Sequence, residues 1–435
     1  PQTFRLYRSA VNRWRCRLKF LREQLDNGLE IVAEVTDDAL STSIGCFVKT
    51  GARDESDDLW GASHFLEHMV FKGTQDLSGD EINRRFDWMG ASANAFTNEE
   101  DTVYYATVLP AQQQEATDLL GRMMRPALRE EDFITEKLVI LEEIRMYDDQ
   151  PPFGADDQCR AAFFGTHPLA RSVLGTVASI QALPVESMRD YHRRRYCPGN
   201  LVLAATGAVD FPALVASAKR LCGDWEPQPT VPRCVPPPQM LQPSIARIVR
   251  PTATLEYAVS MSGGPSENDP DRFAAKLLAV VLGDDSGSRF YWALVDSGEA
   301  EHASCQHQDF LDAGLFTTQL SCDAADVTDL LDRMREIYRS ASTDGMTAKE
   351  FTQARNKLAG RVVLAGERPR RRLFDVGLEW SHSSTYRSVA DNLQIVEKLT
   401  LDDLHRVIKK WRLDGPTSTV LAGPSTADSP PQSVD

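Results

Sequence analysis

Apolar and polar residues fall into stretches of helical period and stretches of strict alternation, and the switches between the two outline the elements. After a turn at Leu25-Asp26-Asn27-Gly28, residues 29–35 and 43–49 read as strands, and residues 51–63 lead into a helix through His64. A second helix over 79–89 is closed by Gly90. Residues 91–97 and 102–109, the latter alternating and rich in β-branched and aromatic side chains, predict an antiparallel pair ended by Pro110. Helices over 111–124 and 130–147, a loop at 150–154, a helix over 185–196, a buried strand over 201–206 and a helix over 211–221 follow.

Pro227, Pro229, Pro232, Pro236, Pro237, Pro238 and Pro243 then crowd one short segment, which reads as an extended linker. Beyond it the same order of elements recurs. Strands are predicted over 245–249 and 255–263, helices over 271–282 and 289–296, and strands over 300–311 and 315–322. Long helices over 327–340 and 347–364, a helix over 401–411 and a strand over 418–422 complete the run. The pattern predicts an α+β fold of two homologous domains, each a mixed, largely antiparallel sheet with helices packed on it. The domains are 1–225 and 245–423, with the linker at 226–244 and a Ser- and Pro-rich tail, 424–435, expected to be disordered. A length of 435 residues, more than one core usually supports, and a hydrophobic share of 42% agree with this division.

Charge and cysteine usage narrow the class. A formal net charge of −15 argues against a nucleic-acid partner, whose affinity would come from neutralising phosphates. The chain has no apolar run of about eighteen residues, so no membrane span is expected. The eight cysteines carry no C-x-x-C pair and read as reduced thiols of a cytoplasmic protein rather than a disulfide framework. Arg5, Arg8, Arg13, Arg15, Arg17 and Lys19 precede the first acid, Glu23; this reads as a solvated arm, with an organelle address as the alternative.

The candidate chemistry is concentrated in Ser63-His64-Phe65-Leu66-Glu67-His68-Met69. At about 100° per residue, His64, Glu67 and His68 share one arc of a helix, so two imidazoles and a carboxylate face the same way. This H-x-x-E-H order suits zinc held by the two histidines, with the intervening Glu left free as a base. Catalytic zinc sites have three protein ligands, so a carboxylate from elsewhere is required. On the helix over 130–147, Glu136 and Glu143 lie on one face and Glu142 is turned by about 100° from Glu143. Residue types alone leave open whether these acids bind metal or merely solvate a helix. The second half has no H-x-x-E-H, and residues 273–285 contain no His.

Taken together, His64-Phe-Leu-Glu-His68, Phe71-Lys-Gly-Thr74, Ala93-Asn-Ala-Phe-Thr97 and the Glu136 to Glu143 helix resemble the M16 family of metallopeptidases, in its branch of short two-domain subunits. The resemblance implies a zinc metalloendopeptidase acting on extended or unfolded peptides, with Zn2+ on His64, His68 and Glu143. Glu67 would take the proton of a zinc-acidified water and return it to the leaving amine, and Glu136 would stand behind the ligands. Substrate would add as a strand along 91–97, with Asn94, Ala95 and Phe71 as contacts. The family's second half usually presents an Arg and a Tyr to the substrate; here Val295 stands at the Arg position and His302 at the Tyr position, with Arg289 upstream as a substitute. The family's closed chamber takes four such domains, so the expected assembly is a homodimer, or a heterodimer with a related M16-like chain. A proteolytically inactive structural subunit of a larger complex is the alternative reading.

Overall fold

A six-stranded sheet opens the chain in a computed structural model that describes residues 18–229, 243–415 and 417–424. Most of the arm, most of the linker and nearly all of the tail predicted above lie outside the described residues. The strands are β1 (Leu18–Gln24), β2 (Glu30–Thr36), β3 (Thr42–Val48), β4 (Ser92–Thr97), β5 (Thr102–Val108) and β6 (Leu201–Gly207), in the order β1-β2-β6-β3-β5-β4. Only β2 and β6 pair in parallel. Lys19, read from charge as the end of an arm, lies in strand β1, because the turn at 25–28 folds that strand back onto β2 in register from Gln24↔Glu30.

The second sheet contains β7 (Ser244–Val249), β8 (Glu256–Gly263), β9 (Ala300–Asp309), β10 (Gly314–Cys322) and β11 (Ser418–Gly423), in the order β7-β11-β8-β10-β9. It repeats β2-β6-β3-β5-β4 strand for strand, including the one parallel pair, now β7 with β11. The duplication legible in the hydrophobic pattern is therefore a duplication of topology. In both sheets the last-ordered strand, β4 or β9, is an edge.

Around the first half the helices are α1 (Ala62–Val70), α2 (Gly79–Met89), α3 (Gln113–Met123), α4 (Glu130–Asp149), α5 (Ala155–Phe164), α6 (Val177–Ala182), α7 (Val185–Arg195) and α8 (Phe211–Cys222). The second half adds α9 (Arg272–Gly283), α10 (Val327–Thr343), α11 (Ala348–Gly366), α12 (Pro369–Ser383), α13 (Val389–Lys398) and α14 (Leu401–Trp411). The helix predicted over 289–296 is present, and its Tyr291–Val295 stretch is wound as a π-helix. Helices α5, α6, α12 and α13 add to the predicted set. None of the described helices is long and apolar enough to cross a membrane.

The compact units are not contiguous. The first takes Val362–Asn392 from late in the chain, and the second takes Arg145–Ala170 from early in it, so they differ from the 1–225 and 245–423 division by these two segments. In the first unit, Ile44, Cys46 and Val48 point to one core while Phe47, between them, points to the other face. There α12 lays Leu373, Val376 and Trp380 on Val32, Phe47, Val103, Val202 and Ala204. Gly377 lets the helix come this close: a Cβ on it would sit 2.2 Å from the Phe47 ring. Arg372 of α12 is buried against Glu34 of β2, Nε to Oε1 at 2.9 Å, and Tyr386 donates to the same carboxylate at 2.8 Å. In the second unit, α5 places Ala155, Cys159, Phe163 and Phe164 against Ile248, Val259, Met261, Leu315, Val420 and Ala422. Each sheet thus has its outer face covered by a helix that follows the long helix of the other half of the sequence.

Candidate metal centre

Helix α1 starts at Gly61, whose φ of 90° is left-handed and whose Cβ, if present, would lie 2.7 Å from Ile180 and 2.9 Å from the Leu174 carbonyl. The first-turn amides are met by a buried carboxylate: Glu55 accepts from Gly61 N at 2.7 Å and from Ser63 N at 2.6 Å. Ser63 and Thr50 both bond the Tyr191 hydroxyl, at 2.7 and 2.9 Å. Phe65, Leu66, Met69 and Val70 are sunk in the core, and Phe65 stacks on Phe133 of α4 with centroids 4.6 Å apart. That stack brings the acidic face of α4 to the imidazole face of α1.

Among the described residues, His64, His68 and Glu143 form a cluster whose ligand atoms all lie within 4.8 Å of one another. Nε2 of His64 is 3.8 Å from Oε1 of Glu143, and Nε2 of His68 is 3.6 Å from Oε2. These spacings are too long for hydrogen bonds. They are close to the edge of a tetrahedron around an ion bound at about 2.0–2.1 Å, an edge of about 3.4 Å. Nδ1 of His64 is buried without a hydrogen-bond partner, and Nε2 has only the 3.8 Å approach to Glu143. It is Nε2 that faces the cluster, and with no hydrogen bond at 3.8 Å its lone pair is free to be taken by an ion. Burial, with His68 close by, pulls the His64 pKa down to about 3, so its ring is neutral and able to ligate. The residues present fit a zinc ion.

Behind the cluster, Nδ1 of His68 bonds Oε1 of Glu136 at 2.9 Å, and Lys72 pairs with the other Glu136 oxygen. Burial pushes the Glu136 pKa up, but His68 and Lys72 hold it below the ordinary carboxylate value. Burial pulls His68 down, yet the bond to Glu136 and the charges of Glu143 and Glu67 raise it overall. Glu67 accepts from the Thr97 hydroxyl at 2.6 Å. Burial raises its pKa, partly opposed by that bond. Glu142, which helical phase turned away from Glu143, is exposed.

The first unit thus brings together His64, Glu67, His68, Glu136 and Glu143. Asn94 is exposed on the edge strand β4, and Ala95 is half-buried and packs inward. Phe71 packs against the core, its ring 6.2 Å from that of Tyr104. In the second unit, Arg289 is engaged by Glu350, at 2.7 and 3.1 Å, and by the Gly345 carbonyl at 2.8 Å. His302 is exposed on β9, with Nε2 3.0 Å from the Ser304 hydroxyl, and Val295 packs against the second core. Sequence reasoning gave no role to Lys72, Thr97 or Glu55. Lys72 was reachable, since it follows His68 by one helical turn; Thr97 and Glu55 meet α1 only through the tertiary fold.

Two family models match the chain: insulinase (peptidase family M16) over residues 19–177 and the peptidase M16 inactive domain over 182–358. A Streptomyces coelicolor protein named an uncharacterized zinc protease is 32% identical over 396 residues, 89% of this chain and 86% of that protein. The chain belongs to peptidase family M16. The M16 inactive-domain model falls largely on the half that lacks H-x-x-E-H. This M16 chain is also 27% identical to a probable mitochondrial-processing peptidase subunit beta of Arabidopsis thaliana, over 92% of its own length and 77% of that protein. Its fold matches that of a Helicobacter pylori protease with a TM-score of 0.85 at 21% identity, covering 94% of this chain and all of that one.

Proposed function

We propose that the chain is a zinc-dependent endopeptidase of extended or unfolded peptides, with His64, His68 and Glu143 as ligands and Glu67 as general base. The supporting observation is the triangle of unbonded donor atoms, one of them on a buried and otherwise unsatisfied imidazole, beside a carboxylate with no Lys or Arg partner among the described residues. A zinc ion held there supplies Lewis acidity, polarising a scissile carbonyl and lowering the pKa of a water towards about 7. With the ion bound, Glu67 would serve as the general base, taking up a proton on its carboxylate and returning it to the leaving amine. Glu136 takes the Nδ1 proton of His68 as a hydrogen bond and so presents Nε2 to the cluster, and Lys72 keeps Glu136 ionised. The free edge of β4 receives an extended peptide by main-chain pairing, with exposed Asn94 and small Ala95 along it, which selects for extension more than for sequence.

The test is metal content and casein or peptide cleavage of the wild type and Glu67→Gln in parallel. Glu67→Gln is expected to keep its zinc and lose turnover by about 10²- to 10⁴-fold. Wild-type activity in that variant would end the mechanism. 1,10-Phenanthroline should abolish cleavage, and added zinc should restore it.

The working form proposed is a dimer enclosing the site, a homodimer in the first instance and a mixed pair with a related chain in the second. The Arabidopsis relative is by name a subunit, which favours an assembly. Of the second-unit candidates, His302 is exposed whereas Arg289 is committed to Glu350, so His302 is the better proposed substrate contact. Light scattering alongside peptidase activity tests the assembly: a strictly monomeric, fully active protein would refute it. The six cysteines among the described residues are buried and free, which suits a reducing compartment such as the cytoplasm.

A further inference from the structure

We infer that Thr97 is a positioning residue for Glu67, an inference that rests on the endopeptidase reading above. The Thr97 hydroxyl lies 2.6 Å from Oε2 of Glu67 and 3.5 Å from the Thr102 hydroxyl. A hydroxyl has one proton to give. Thr102 donates its own to the Thr50 carbonyl at 2.9 Å, so Thr97 is left with the carboxylate as its strong acceptor. That bond occupies Oε2 and leaves Oε1 to take a proton.

The donor is delivered from a fixed point. Alternation along β4 turns Ala93, Ala95 and Thr97 towards α1, while Phe96 points to the opposite face and meets Phe374, centroids 5.5 Å apart. The turn after Thr97 is locked: Asn98 Oδ1 accepts from Glu100 N and Asp101 N, each at 2.7 Å, and the Asn98 carbonyl accepts from Ala52 N at 3.2 Å. Glu100 is paired with buried Arg53, and Asp101 lies 2.8 Å from Nε2 of His382. Gly51 closes the arrangement, since a Cβ there would be 2.3 Å from the Asn98 carbonyl. Glu67, by contrast, has three rotatable bonds and sits half-buried at the protein surface. The hydroxyl of Thr97 is what selects one of its orientations. Because Thr97 belongs to the strand whose free edge receives the peptide, peptide pairing and base orientation depend on one element.

Thr97→Val removes the hydroxyl at nearly constant shape, and Thr97→Ser keeps it. In crystals of the metal-free protein, Glu67 is expected within hydrogen-bond distance of residue 97 in the wild type and Thr97→Ser, and turned away in Thr97→Val. With zinc loaded, Thr97→Val should keep its metal and its KM while kcat falls about 10- to 100-fold, and Thr97→Ser should recover to within about threefold of wild type. An unmoved Glu67 in Thr97→Val, a wild-type kcat in that variant, or a Thr97→Ser as slow as Thr97→Val would each overturn the inference. If Thr97→Val does not fold, Thr97→Ala takes its place in both measurements. A wild type that binds zinc and cleaves nothing would instead overturn the endopeptidase reading, and the orientation of Glu67 in the crystals would alone decide this inference.

Discussion

Nδ1 of His68 lies 2.9 Å from Oε1 of Glu136, and because an ionised carboxylate can only accept, the ring proton sits on Nδ1 and Nε2 keeps its lone pair. In the proposed zinc site Glu136 would therefore act through His68 without reaching the metal. Glu136→Gln is expected to weaken zinc binding by about 10- to 100-fold, and Lys72→Met by less, as read by competition with a chromophoric chelator. Equal affinity in all three proteins would remove Glu136 and Lys72 from the site.

Helical phase and burial separate Glu143 from its neighbour. Glu143→Gln is expected to lose more zinc affinity than Glu136→Gln, because it removes a donor 3.6 Å from His68 and 3.8 Å from His64. Glu142→Gln, at an exposed position, should bind zinc like the wild type. Loss of metal in Glu142→Gln alone would mean that the wrong face of α4 has been assigned.

Acid should weaken the fold through histidines outside the metal centre. Burial, reinforced by Arg125, holds His192 down to about 4; burial also holds His307 down to about 4, with Lys276 and Arg272 adding to it. Unfolded histidine titrates near about 6.5, so between these values the unfolded chain binds the protons and the native chain does not. Stability is then present above about pH 6.5 and lost as pH falls towards about 4, by at most about 1.4 kcal/mol per pH unit for each group. Urea midpoints measured from pH 7 to 4.5 on the metal-free protein should show this slope, and His192→Gln should reduce it. An unchanged slope in His192→Gln would exclude that residue as a source.

Gly377→Ala tests the seating of α12 on the first sheet. Alanine is the better helix former by about 1 kcal/mol, yet its Cβ would stand 2.2 Å from the Phe47 ring. Overpacking of this kind costs about 1–3 kcal/mol, so the variant should be destabilised in chemical denaturation. A neutral or stabilising effect would mean that α12 does not pack against Phe47.

Local periodicity made most of this molecule readable. The shared face of His64, Glu67 and His68, and that of Glu136 and Glu143, follow from helical phase alone, and the structure brings the two faces together through Phe65 and Phe133. What stayed hidden is non-local. Helix α12 opens on Pro369 followed by Arg370, Arg371 and Arg372, and it carries Gly377 mid-helix, so charge and a breaker mask its apolar stripe. Arg372 is there for a buried partner on β2, and Gly377 for a ring on β3; neither reason is visible until the sheet exists. The same holds for Thr97, which lies 30 positions from Glu67 in sequence and 2.6 Å from it in space. The start of β1 is hidden because Lys19 continues the run of arginines before it, and only Leu18 and Phe20 mark the inward side of the strand before Leu21 breaks the alternation.

The covering of each sheet by a helix from the opposite half makes the chain a swapped pair joined by a peptide link. Cut within 230–242, the amino-terminal fragment would carry α5 but leave Phe47, Val103 and Val202 bare, and the carboxy-terminal fragment would carry α12 but leave Val259, Met261 and Val420 bare. Neither fragment closes its own sheet. Produced apart they should aggregate, and produced together they should complement each other, each returning to the other the helix it lacks.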